Sequence, residues 1–78
     1  MGKNYIQKVL SVDDIPTNNM LVHSCLKFDG IQTISAESGQ EALELIFKNY
    51  FSLFILDVMM SEMDGFELAE KIREIEKY

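Results

Sequence analysis

The chain has 78 residues, room for one small domain, and its 47% hydrophobic content is ordinary for a globular protein and argues against disorder. Seven basic against thirteen acidic residues leave a net charge of -6, which disfavours nucleic acid or an anionic membrane and suits a cation or a basic partner. No apolar run approaches the ~20 residues of a membrane span, residues 1–6 lack a secretory core, and the single cysteine, Cys25, excludes an internal disulfide, so a cytoplasmic chain is expected.

Val9-Leu10-Ser11-Val12 is a mostly apolar run closed by Asp13-Asp14, and it reads as a buried strand over 8–12. Pro16 suits the first turn of a helix, where its missing N–H costs nothing, with Asp14 as the expected cap. Leu21, Val22, Cys25, Leu26 and Phe28 recur at helical spacing, placing a helix over 16–28 that Asp29-Gly30 stops. A second strand follows over 31–36. Ser38-Gly39-Gln40-Glu41 has capping-box form and opens a helix over 39–49 carrying Ala42, Leu43, Leu45, Ile46 and Phe47. The third strand, over 52–57, holds the run Leu53-Phe54-Ile55-Leu56 without polar alternation, so both its faces should be covered. It ends at Asp57. Asp64 or Gly65 begins a last helix over 65–77, with Phe66, Leu68, Ala69, Ile72 and Ile75 inward and Glu67, Glu70, Lys71 and Glu74 toward water.

Strand alternating with helix implies parallel strands joined by right-handed crossovers. The acids that end the first and third strands meet only if those strands are neighbours. The predicted order is therefore 2-1-3, the opening half of a flavodoxin-like α/β sheet built as βαβαβα. Handedness puts the first helix on one face and the other two on the opposite face. The third strand becomes an edge, and an uncovered apolar edge invites pairing.

Asp13, Asp14 and Asp57 thus gather at the carboxyl edge of the sheet, where ligands of such folds bind. Three carboxylates repel one another unless a cation sits between them, and their hard oxygens suit Mg2+ or Mn2+. A backbone carbonyl from the Val58-Met59 turn can complete the set. An aspartate beside such an ion can attack phosphorus to give an acyl phosphate, with the metal neutralising the phosphoryl oxygens. Taken singly, each acid has a plainer role as a helix cap or strand terminus. The trio, with the strand order it requires, favours the metal.

Other conspicuous residues read plainly. His23 belongs at the surface, Cys25 in the core, and Asn18 and Asn19 in an exposed first turn. Met59, Met60 and Met63 are loop and packing residues, because thioethers suit copper whereas carboxylates dominate here.

Val12-Asp13-Asp14-Ile15-Pro16, Ala36-Glu37-Ser38-Gly39-Gln40-Glu41-Ala42-Leu43 and Leu56-Asp57-Val58-Met59-Met60-Ser61-Glu62-Met63-Asp64-Gly65 closely resemble response-regulator receiver domains, from about Lys8 onward. The resemblance implies that Asp57 accepts a phosphoryl group from a histidine kinase or phosphotransfer protein, as a phosphoacceptor rather than an enzyme. It implies Asp14, Asp57 and the Met59 carbonyl as direct Mg2+ ligands, with Asp13 acting through water, and Gly65 as the glycine that begins the third helix. Ser61 stands where the family usually places proline, so the loop lacks a φ restraint. Family members continue through two more strand–helix units, whereas this sequence stops at Tyr78. The switch Ser/Thr and the phosphate-binding Lys of those units are therefore expected to be missing, with weak phosphotransfer as the consequence.

An association module is the alternative expectation, a homodimer joined through Leu53, Phe54, Ile55 and Leu56 with an antiparallel seam. A phosphatase of the haloacid-dehalogenase type is disfavoured, because Met59 stands where it needs a second aspartate. A flavin site is disfavoured too, since no Gly/Ser/Thr-rich phosphate loop follows the first strand.

Overall fold

Strand β1 (Lys8–Val12) lies at the centre of a three-stranded parallel sheet, with β2 (Gln32–Ala36) and β3 (Leu53–Leu56) on either side, in a computed structural model that describes residues 7–27 and 29–75. The order 2-1-3 is the expected one. Val12 stands level with both Ala36 and Leu56, so all three strands end on one line. One further backbone bond on each side, Asp13 N–H to Ala36 O (3.1 Å) and Asp57 N–H to Val12 O (2.9 Å), carries the ladder to the acids themselves.

Successive strand residues face opposite ways. Leu10 and Val12 join Ala36, Ala42, Ile46, Phe51, Met60, Leu68 and Ile72 in one buried cluster beneath helices α2 (Gly39–Lys48) and α3 (Gly65–Arg73). Val9 and Ser11 face the other way, toward α1 (Pro16–Lys27), which packs on β1 and β2. Burying this cluster is the main stabilising term, roughly 1.5–3 kcal/mol for each large side chain.

The helix ends follow local chemistry. Ser38 Oγ accepts the Glu41 N–H (3.0 Å), while the Glu41 carboxylate reaches back to the Glu37 N–H (2.9 Å), one residue before the cap. Asp64 caps α3 by accepting the Glu67 N–H at 2.8 Å. Gly30, with φ of +72°, turns the chain out of α1, a conformation open to glycine at no steric cost.

Several expectations are corrected. At the start of α1 the carboxylate that reaches the backbone is that of Asp13, not Asp14, through the Ile15 N–H (2.9 Å). Cys25 is exposed, because α1 is inserted along a narrow stripe of Asn19, Val22 and Leu26 and Cys25 lies beside it. Asn19 is buried rather than exposed. Phe66 points outward at 72% exposure, since the inner stripe of α3 runs through Gly65, Leu68 and Ile72. Among the described residues β3 is covered on one face only: α1 does not reach it, and Leu53 remains 52% exposed. The strands expected over 31–36 and 52–57 each run shorter, the helix expected over 65–77 ends at Arg73, and Phe28, residues 1–6 and residues 76–78 lie outside the described residues.

Candidate metal and phosphoacceptor site

Because β1 and β3 end level, Asp13 and Asp57 leave adjacent strands side by side, and Asp14 follows at once. Each of the three half-buried carboxylates offers an oxygen within 4.8 Å of the other two. At that separation like charges repel by about 1 kcal/mol per pair in water and about 3 kcal/mol at an effective dielectric of 20. Such an arrangement is held against repulsion by the backbone, and a divalent cation would relieve it.

The acids are aimed by local hydrogen bonds. Asp13 uses both oxygens: Oδ1 accepts the Ile15 N–H (2.9 Å) and Oδ2 the Asn18 Nδ2–H (3.0 Å). Asp57 Oδ1 accepts the Met59 N–H two residues on, at 3.0 Å, which orients its other oxygen away from that turn. Asp14 borders an open cleft of about 390 Å³ between the α2 N-terminus, at Ser38 and Gly39, and the loop of Ser61 to Met63. Glu37, Glu62 and Glu67 line the same cleft and add negative charge to it.

Gly65 abuts the Asp57 backbone. A Cβ there would stand 2.5 Å from the Asp57 carbonyl oxygen and 2.9 Å from its carbon, closer than real Cβ atoms come. The first residue of α3 must therefore be glycine for the helix to press on the Asp57–Val58 peptide. Ser61 is exposed, and the loop around it is anchored instead by buried Met60 and by Met63, which lies against Gly39. Met59 is 81% exposed, whereas Phe54, Ile55 and Leu56 are half-buried along β3. The donor set fits Mg2+ or Mn2+: hard carboxylate oxygens converge, with no thiolate or imidazole among them.

Asn19 is the residue that sequence reasoning missed. Its Nδ2 donates to Asp13 O (3.1 Å) and Ala36 O (3.0 Å), and its Oδ1 accepts from Ser11 Oγ (2.6 Å). Its spacing matches Val22 and Leu26, but the sequence alone does not say that this stripe, rather than that of Leu21 and Cys25, turns inward.

The family model of the response regulator receiver domain matches residues 9–78. The chain is 37% identical over 71 residues to the probable transcriptional regulator ycf27 of Porphyra purpurea, covering 91% of this chain but 29% of that protein. It is 41% identical over 66 residues to the sensor protein EvgS of Escherichia coli, covering 85% of this chain and 6% of that one. Among solved structures, the chemotaxis protein CheY4 of Vibrio cholerae superposes with a TM-score of 0.91 at 35% identity, over 95% of this chain and 62% of that chain. The response regulator TrrA of Thermotoga maritima, solved in complex with Mg(2+)-BeF, gives 0.86 at 36% identity, over 92% of this chain and 63% of that one. The chain therefore spans under two thirds of the length of these relatives. With the 2-1-3 sheet and the acids at its carboxyl edge, these matches place the chain in the response regulator receiver domain family.

Proposed function

We propose that the chain is a phosphoacceptor module of a cytoplasmic two-component pathway, with Asp57 as the accepting residue. The observation that carries this reading is the convergence of the Asp13, Asp14 and Asp57 oxygens within 4.8 Å at the level ends of β1 and β3. Asp14 and Asp57, with the Met59 carbonyl, would hold Mg2+ or Mn2+ directly, and Asp13 would act through water. When bound, the cation supplies charge neutralisation for the transferred phosphoryl oxygens. Asp57 supplies the attacking carboxylate oxygen: its bond to phosphorus forms as the bond from phosphorus to the donor imidazole nitrogen breaks, and the imidazole leaves to regain its proton from solvent. The Met59 N–H bond and the Gly65 contact hold Asp57 in place for that attack. The donor is a histidine kinase or a phosphotransfer protein. The module accepts a group and does not turn over a substrate of its own. Its net charge of -6 disfavours direct binding of nucleic acid by this segment. Beryllofluoride with Mg2+ tests the reading through 19F NMR: a bound signal that Asp57→Asn abolishes supports it, and no bound signal at saturating Mg2+ contradicts it.

A second reading rests on β3, the outer strand of the sheet among the described residues, with Leu53 half-exposed on it. Pairing of two such edges about a two-fold axis would make a continuous six-stranded sheet, antiparallel at the seam. The chain would then act as an association module.

A further inference from the structure

We propose that Asn19, backed by Ser11, is a positioning residue of the acidic site, fixing the peptide plane between Asp13 and Asp14 from beneath; this rests on the reading of those acids as a Mg2+ site. Both side chains are buried, at 3% and 2% exposure. Because Oδ1 of Asn19 accepts the Ser11 hydroxyl at 2.6 Å, the other end of the carboxamide must be the donor, and its two hydrogens go to Asp13 O (3.1 Å) and Ala36 O (3.0 Å). The regular ladder stops at this point. Past the bond from the Asp13 N–H to Ala36 O, the Asn19 amide serves the Asp13 carbonyl in place of a strand N–H.

The Asp13 carbonyl oxygen shares one rigid plane with the nitrogen and Cα of Asp14. Holding that oxygen sets the direction in which Asp14 departs, and so where its carboxylate lies relative to Asp13 and Asp57. A residue needed for packing alone, on a stripe with Val22 and Leu26, would be apolar. A carboxamide engaged in three directed bonds selects one orientation of the acid pair.

Asn19→Leu keeps the branched shape of the side chain, with somewhat greater bulk, and suits the stripe while deleting the amide. In NMR titrations with Mg2+ alone, the folded variant should bind about tenfold more weakly than wild type, the low end of what losing a partner that orients a metal ligand costs. Ser11→Ala, which leaves the amide but frees its orientation, should give a smaller loss in the same direction, and it carries the test should Asn19→Leu fail to fold by circular dichroism. Urea midpoints measured in parallel separate the roles. Lowered midpoints with Mg2+ affinity unchanged within about twofold, well below the tenfold scale of such partners, would overturn the proposal. Wild type that binds no Mg2+ overturns the metal reading itself, and the proposal with it.

Discussion

Both oxygens of Asp13 accept a hydrogen bond, one from the Ile15 N–H and the other from Asn18, whereas Asp57 has one oxygen tied to the Met59 N–H. That difference suits the proposed roles, Asp13 supporting and Asp57 accepting the phosphoryl group, although all three carboxylates are half-buried. Gly65 shows how closely the backbone of Asp57 is held. A methyl group there would meet the Asp57 backbone at 2.5 Å, and backbone cannot yield as a flexible side chain can. Alanine would normally favour a helix over glycine by up to about 1 kcal/mol, yet overpacking of this kind costs about 1–3 kcal/mol. Gly65→Ala should therefore lower stability in urea denaturation and weaken Mg2+ binding; an unchanged or raised midpoint would show that the contact is slack.

At the scale of elements, the site depends on three strands ending level and on helix starts that aim loops at the sheet edge. Ser38 is one such start, its hydroxyl accepting the Glu41 N–H while Glu41 returns a bond to Glu37. Ser38→Ala should cost about 1 kcal/mol of stability, as loss of an N-cap does. It should leave the Mg2+ affinity close to that of wild type, because no acid of the trio is bonded to Ser38; denaturation and titration together check both halves. The strand order, the helix faces and this cap were legible in the sequence because they follow from period, capping chemistry and the need for two acid-tipped strands to meet. The inward side of α1 was not. Cys25 and Leu26 are neighbours in an apolar pattern, and only the narrow contact with β1 and β2 decides that Leu26 turns inward while Cys25 is exposed. Asn19 was misread for the same reason: a polar residue in a first turn is ordinarily solvated, and its partner Ser11 lies on another element. Phe66 is a simpler failure, since an apolar residue one position from Gly65 sits off the stripe that Leu68 and Ile72 define.

For the whole molecule, the sheet is asymmetric. Among the described residues, one face is closed by α2 and α3 over the main core and the other by α1, which leaves Leu53 of the edge strand 52% exposed. Strands at the edge of a sheet beside exposed apolar side chains tend to associate unless charge or cover prevents it. Sedimentation velocity across a concentration series should show self-association that Leu53→Lys suppresses; a wild-type monomer at every concentration would sink the edge-pairing reading. The phosphoacceptor reading is independent of that outcome, since the acids stand at the end of the strands and not along the edge. Its most direct test is the intact mass of the chain after treatment with a small phosphodonor and Mg2+. The account predicts a single phosphoryl adduct that requires the metal and vanishes in Asp57→Asn. An adduct that persists in Asp57→Asn, or none in the wild type with Mg2+ bound, would contradict it.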